Sequence, residues 1–465
     1  MAPPNILFIL ADDMGYGDFG CFSEGLAKTP TLDHLVEGGL CLTQHYSASP
    51  VCAPARASLF TGRYPQRTGT IDTIEMRGLD RMSLRERTMA DLLRDAGYVT
   101  GLVGKWHNGA LDARHHPTAR GFDEFVGFCG GWHPYFDWSI ERGTAPATTR
   151  VADDGRYLTD VFTDEAVDFV QRHRGSPFFL HLAYNAPHYP FQSPEEDLAA
   201  FRDRGDLTLG VSHVYAMIQR MDAGIARVLD ALERSGIAEN TLVLFSSDNG
   251  PQFGGLGKMN TDRFNCGFRG AKLLVYEGGI RLPMVLRWPA GLASGLTRDE
   301  LVHFTDWLPT LVGLAGGALP RDRVLDGVDV LPLLQGERGQ VCDRRFWQWN
   351  RYAPHGECNA AMRDGPWKLV RPAIDELMQV TPEDWNMDVA SKYDRAAHTE
   401  ILREPLPERS PAAAAPSQLF DLASDPEERS DLAAAQPARV RSMEAALASW
   451  FEEVESERRA IDDLP

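Results

Sequence analysis

The chain has 465 residues, 43% of them hydrophobic and 24% charged, the balance of a soluble globular protein too long for one ordinary core. Its 66 acidic against 47 basic residues give a net charge of −19, which argues against nucleic acid and anionic membrane as partners of the general surface. Only six of the basic residues are lysines (Lys28, Lys105, Lys258, Lys272, Lys368, Lys392), so each lysine is worth locating.

Met1-Ala-Pro-Pro runs directly into a short apolar run with no basic flank, unlike a secretory signal. No stretch approaches the roughly 20 apolar residues of a membrane span. The seven cysteines form no Cys-x-x-Cys pair and are odd in number, which argues against a disulfide framework or a zinc ribbon. A reduced, cytoplasmic protein is the expectation.

Residues 5–11, 100–104, 178–184 and 241–247 each read as a buried strand: a short apolar run bounded by polar residues or glycine. Between them, Val161, Phe162, Ala166, Phe169 and Val170 fall at helical spacing. So do Tyr215, Ile218, Ile225, Leu229 and Leu232, ahead of a stop at Gly236. Strands alternating with helices predict an α/β fold with a large, mostly parallel sheet covered by helices, expected over residues 1–336. After Leu331-Pro-Leu-Leu-Gln-Gly336 the alternation stops. Strand-like pieces at 346–349 and 367–370, a polar stretch with a Pro/Ala run at 411–416, and an apolar stripe (Val440, Met443, Leu447, Trp450, Phe451, Val454) predict a smaller α+β domain over 337–465. That domain is expected to hold a small antiparallel sheet and a packed terminal helix.

Ligands of open parallel sheets bind beyond the carboxyl ends of the strands. The predicted strands run there into Asp12-Asp13, Lys105-Trp-His107, Asn185-Ala-Pro-His188 and Asp248-Asn249. Each is an ordinary turn sequence taken alone; all four on one edge make a candidate site. Asp12, Asp13, Asp248 and Asn249 supply hard oxygen ligands suited to Ca²⁺ or Mg²⁺ and poor for zinc. In Cys52-Ala-Pro-Ala-Arg56, Pro54 suits the first turn of a helix that ends at Gly62. This puts Cys52 at a helix N-terminus, where an anion is favoured, with Arg56 adding positive charge.

Cys52-x-Pro-x-Arg56 followed by Ser-Leu-Phe-Thr-Gly-Arg63 resembles the signature of the type I, formylglycine-dependent sulfatases, which are arylsulfatase-like members of the alkaline phosphatase superfamily. The likeness extends in order through residues 4–18, Thr29–Asp33, Gly104-Lys-Trp-His107, Ala186-Pro-His188, Ser247-Asp-Asn-Gly250, the stretch 269–283, and Leu419–Pro426. The resemblance implies hydrolysis of an aryl or carbohydrate sulfate monoester to an alcohol and inorganic sulfate. It implies that Cys52 is oxidised to formylglycine, by a formylglycine-generating enzyme during maturation, and that the hydrate is the nucleophile. Asp12, Asp13, Asp248 and Asn249 would hold Ca²⁺, or alternatively Mg²⁺, which also touches residue 52. Arg56 would stabilise the hydrated aldehyde, and Lys105 and Lys272 would grip sulfate oxygens. His107 would take a proton from residue 52 so that sulfate departs by elimination, and His188 would face the leaving-group oxygen. Asn108 and Ala271 depart from the usual leucine and glycine but replace no reacting group, while Arg63 and Arg269 are assigned structural roles.

Two alternatives accompany this reading. Phosphonate or phosphate ester hydrolysis uses the same scaffold, but its branch tends to carry histidine where this chain has Asn249. A non-catalytic anion-binding protein would result if Cys52 stayed a thiol. Trp132, His133, Tyr135, Trp138, Trp347, Trp349, Tyr352 and His355 offer either ring stacking on substrate or packing between domains.

Overall fold

A computed structural model describes residues 3–394 and 397–462; residues 1, 2, 395, 396 and 463–465, which fall within the two expected domains, lie outside the described residues. The strands are, in chain order, β1 (Asn5–Ala11), β2 (Leu40–Tyr46), β3 (Val99–Lys105), β4 (Glu124–Phe128), β5 (Ser139–Thr144), β6 (Ala147–Ala152), β7 (Phe178–Ala183), β8 (Thr241–Ser247), β9 (Arg281–Arg287), β10 (Leu296–Arg298) and β11 (Val302–His303). They form one 11-stranded sheet ordered β10-β2-β9-β8-β1-β7-β3-β4-β5-β6, with β11 also on β2. The centre, β8-β1-β7-β3-β4, is parallel throughout, as the alternation of strands and helices predicts. Antiparallel β9 on one side and the β5–β6 hairpin on the other make the whole sheet mixed.

β1 is apolar along its length because both its faces are covered. Leu7, Ile9 and Ala11 face one core with Phe162, Phe169, Ile218 and Ile225 of the helices Leu158–His173 and Leu209–Arg234. Ile6, Phe8 and Leu10 face the other, with Leu59, Phe60, Leu308 and Leu311 of the helices Cys52–Thr61 and Trp307–Leu314. The period-2 alternation of strand side chains thus sorts one hydrophobic run into two cores.

The C-terminal part holds a four-stranded antiparallel sheet, β12 (Arg344–Gln348), β13 (Ala360–Asp364), β14 (Trp367–Arg371) and β15 (Gln418–Asp421). One face packs Trp347, Ala361, Val370 and Phe420 on Tyr46 and Ile280 of the larger sheet region. The other is covered by Met443, Leu447, Trp450, Phe451 and Val454 of the helix Pro437–Arg459, the stripe read from the sequence. Buried Lys368 of β14 pairs with Glu277 (2.8 Å) and Glu428 (2.9 Å) and fastens the two regions together. The helix Pro382–Tyr393 stands in a stretch whose polarity gave no sign of it. Its buried residues are Asp384, Ser391 and Lys392, so a polar face, not an apolar stripe, docks it.

Candidate active site

The four central strands end in register, with Ala11 opposite Ser247 and with Leu10 and Gly104 both opposite Ala183. Backbone bonds continue the ladder past the strand ends, from Asp12 N–H to Ala186 O (3.1 Å) and from Asp248 N–H to Ala11 O (3.2 Å). Gly104 has φ +113°, and a Cβ there would lie 1.9 Å from Ala183 O, so only glycine lets Lys105 arrive at this edge. The helix Cys52–Thr61 starts with Cys52 at its first turn and stops at left-handed Gly62, as its sequence predicts.

All ten predicted site residues converge here. Asp12, Asp13, Cys52, Arg56, Lys105, His107, His188, Asp248 and Asn249 are buried, and Lys272 is slightly open. One carboxylate oxygen from each of Asp12, Asp13 and Asp248 lies within 4.8 Å of the others, and Asp12, Cys52 and a ring nitrogen of His188 are grouped equally closely. Cations interleave with these acids. Lys105 Nζ lies 2.6 Å from Asp12, Lys272 Nζ 2.7 Å from Asp13, and Arg56 grips Asp248 through Nε and Nη2, both at 2.8 Å. Asn249 Nδ2 donates to Asp13 Oδ1 (2.7 Å). Arg56 therefore reaches its site chiefly as the clamp on Asp248, with Asp12 farther off at 3.8 Å.

The electrostatics divide the adjacent acids. Burial, reinforced by Asp248, pushes Asp12 well above the usual carboxylate range despite Lys105 and Arg56. Burial also works to raise Asp13, but Lys272, by its charge and its hydrogen bond, outweighs it and holds Asp13 low. Burial pushes the Cys52 thiol up against the pull of Lys105 and Lys272, so an unmodified Cys52 is a neutral thiol and a poor nucleophile.

Burial, aided by Lys272, also keeps His188 well below the usual imidazole range, hence neutral. Its Nδ1 donates to Tyr189 O (2.7 Å), since a carbonyl only accepts, which leaves Nε2, 3.6 Å from Asp13, as the nitrogen able to take up a proton. Tyr135, raised at first as a ring for stacking, is buried and donates its hydroxyl to Asn185 O (2.5 Å) and His188 O (3.0 Å), so it holds the His188 loop. His107, with φ +56°, is buried, and neither ring nitrogen has a hydrogen-bond partner among the described residues. Asn108 beside it donates to Ala53 O (3.0 Å), tying this loop to the start of the Cys52 helix.

Glu75 carries no motif in the sequence. Its buried carboxylate lies 4.0 Å from His107 Nε2 and is fixed by the Gly131 amide and by Lys392. Only the fold reveals it, because it sits on a three-residue turn and its partner is more than 300 residues away. Among the other aromatic candidates, Trp138, Trp347, Trp349 and Tyr352 are buried, and His133 accepts from Ser139 N–H (2.9 Å). The buried rings serve packing; Trp132, His133 and His355 are partly exposed. Arg269 stacks on Tyr276 (4.2 Å to the ring centroid), and Arg63 pairs with Glu86 at 2.6 Å, both structural as expected.

The sulfatase family model matches residues 4–318, and the model described as N-sulphoglucosamine sulphohydrolase, C-terminal, matches residues 268–404. Mouse (Mus musculus) steryl-sulfatase is 32% identical over 92% of this chain and 78% of its own length. The N-acetylgalactosamine-6-sulfatase of dog (Canis lupus familiaris) is 35% identical over 75% of this chain and 68% of its own. The crystal structure of Ps i-CgsB in complex with k-i-k-neocarrahexaose superposes with a TM-score of 0.79 at 29% identity, covering 96% of this chain and 92% of that one. A phosphonate monoester hydrolase of Agrobacterium radiobacter, 21% identical with a TM-score of 0.63 over 98% of this chain and 96% of its own, shares the fold. This chain therefore belongs to the sulfatase family of the alkaline phosphatase superfamily and is an enzyme that hydrolyses sulfate monoesters.

Proposed function

We propose that the substrate is the sulfate ester of a sugar, and that hydrolysis uses formylglycine made from Cys52 together with a divalent cation, Ca²⁺ in preference to Mg²⁺. One observation carries the reading: three buried acids and an asparagine meet buried Lys105 and partly open Lys272 at the N-terminus of the helix that begins with Cys52. The donor set fits a hard cation. Asp12 Oδ1 and Asn249 Oδ1 are buried with no hydrogen-bond partner among the described residues, and one oxygen from each of Asp12, Asp13 and Asp248 lies within 4.8 Å of the others. Asp12, Asp13, Asp248 and Asn249 would hold the ion, which lowers the cost of charge on the sulfate oxygens. Burial holds the Cys52 thiol protonated and so a poor nucleophile; oxidised by a formylglycine-generating enzyme, residue 52 would supply the nucleophilic oxygen from its aldehyde hydrate.

The remaining work belongs to this chain's own side chains. Lys105 and Lys272 bind sulfate oxygens and already stand at the carboxylates that would flank them. Arg56 keeps Asp248 in place. His188 presents Nε2 to the leaving oxygen, its ring fixed by the bond from Nδ1 to Tyr189 O; Nε2 takes up a proton beside Asp13 and passes it to that oxygen. His107 takes the proton from residue 52, with Glu75 behind its Nε2. A sugar substrate is supported by the N-acetylgalactosamine-6-sulfatase relatives and by the carrahexaose complex of Ps i-CgsB.

The reading is tested by measuring sulfate released from a panel of sulfated monosaccharides, and the phenol released from an aryl sulfate and from the matching aryl phosphonate. Sulfate esters are expected to give the higher kcat/KM, and Cys52→Ala to abolish turnover. A preference for the phosphonate would overturn the assignment.

A further inference from the structure

We propose that Trp132, Tyr189 and Tyr393 form an aromatic wall at the mouth of the pocket that binds the ring of the sulfated sugar. This rests on the sulfatase reading above and adds the recognition of the alcohol that leaves.

The mouth is located by what little of the site is open. His188 and Lys272 keep about a tenth of their side chains exposed while Asp12, Lys105 and Asp248 have none. Each aromatic ring is the immediate chain neighbour of a residue at or behind this site. Tyr189 follows His188. Trp132 follows Gly131, whose Cα lies against the His107 ring so closely that a Cβ there would meet Cε1 at 2.6 Å. Tyr393 follows Lys392, whose ammonium is buried against Glu75, the carboxylate behind His107. Three distant segments therefore deliver three rings to one rim.

The rings touch. Trp132 and Tyr189 have centroids 5.4 Å apart at 72°, and Trp132 and Tyr393 5.5 Å apart at 76°. Edge-to-face contacts of this kind set neighbouring rings at corners, each covering at most one face of one ring; Tyr189 makes a second such contact with Phe191 (5.9 Å). Tyr189 is 44% exposed and Tyr393 65% exposed, unusual for large rings that a packed rim would cover. The helix that brings Tyr393 is docked through polar contacts, Lys392 to Glu75 and Asp384 to Arg77 (2.8 Å) and to the Tyr352 hydroxyl (2.7 Å). Tyr393 is thus held at the rim by its neighbours, with no need of its own ring for anchorage.

The chemistry of the wall favours a sugar. A pyranose offers an apolar C–H face for a ring to cover and hydroxyls around its edge, and the two exposed rings are tyrosines, apolar on the face with a hydroxyl at the tip. A purely apolar leaving group would make no use of either hydroxyl.

The experiment uses the full-length enzyme carrying Tyr189→Ala, Tyr393→Ala, Tyr189→Phe or Tyr393→Phe. Each is assayed on the sulfated monosaccharide that the parent turns over best and on 4-nitrophenyl sulfate, with inorganic sulfate as competitive inhibitor. Each alanine variant is expected to lower kcat/KM for the sugar about fivefold to tenfold, chiefly through KM, with a smaller loss on nitrophenyl sulfate. The Ki of inorganic sulfate, which fills only the sulfate pocket, is expected to stay put. The phenylalanine variants should recover part of the loss on the sugar, and they carry the test if an alanine variant fails to fold. Unchanged sugar kinetics, an equal rise in the Ki of sulfate, or a larger loss on nitrophenyl sulfate than on the sugar overturns the wall. A parent enzyme that releases sulfate from no ester overturns the sulfatase reading itself, a different result from an active enzyme indifferent to these substitutions.

Discussion

Lys105→Met separates the two charges that face Asp12. Lys105 Nζ and Asp12 Oδ2 are 2.6 Å apart, and both side chains are fully buried. In protein stripped of divalent ions by EDTA, the substitution strands a buried carboxylate whose other cation, Arg56, is 3.8 Å away and committed to Asp248. Breaking a buried pair from one side costs about 3–5 kcal/mol. The lower figure is expected, because burial already pushes Asp12 up and lets it escape by protonation. If Asp12 is a cation ligand, calcium replaces the lost lysine and the penalty shrinks. By linkage the same free energy must appear as tighter calcium binding, up to about two orders of magnitude in Kd for ~3 kcal/mol. The variant would then bind calcium better while losing turnover, because Lys105 no longer grips sulfate. Denaturant unfolding with and without calcium, together with calorimetric titration, reads both quantities. Equal destabilisation in both states with unchanged calcium affinity would refute the assignment of these acids to a cation.

Three further outcomes are expected. His188→Asn should slow sugar sulfate turnover by about 10²–10⁴ and 4-nitrophenyl sulfate much less, because the nitrophenolate departs without a proton; equal losses in parallel kcat measurements would remove His188 from the leaving-group side. Tyr135→Phe deletes the hydroxyl bonded to Asn185 O and His188 O and should cost about 1 kcal/mol of stability together with a loss in kcat. An unfolding midpoint and kcat both like the parent's would show that the His188 loop holds itself. Glu428, which burial pushes up to about 7 despite Lys368, binds its proton more tightly folded than unfolded. Its contribution is therefore present at acid pH and lost as pH rises from about 4.5 to about 7, at most about 3 kcal/mol. Glu428→Gln should remove that part of the slope in denaturant titrations across the window, and a slope identical to the parent's would contradict the shift.

Much of this site was legible because it sits at the ends of apolar runs. Residues 5–11 and 241–247 were bounded correctly, and parallel packing of such runs puts their following residues on one edge. Asp12-Asp13 and Asp248-Asn249 are thus paired by the sequence pattern itself. The sheet's outer strands were not legible. β5 and β6 are half-exposed and rich in Thr, Arg and Glu, and β10 and β11 span three and two residues. The helix Pro382–Tyr393 escaped because periodicity reasoning searches for a buried apolar stripe and this helix buries Asp384, Ser391 and Lys392. With it went Lys392, Glu75 and the third ring of the wall. Their relation is one of contact across hundreds of residues, which no local pattern encodes.

The central claim is that residue 52 acts after oxidation and not as a thiol. Mass analysis of the peptide containing residue 52, on samples of graded modification assayed in parallel for sulfate release, tests it directly. Turnover proportional to the fraction of aldehyde at residue 52, vanishing in fully thiol protein, is the expected result. Sulfate ester hydrolysis by protein whose residue 52 is entirely cysteine would contradict it.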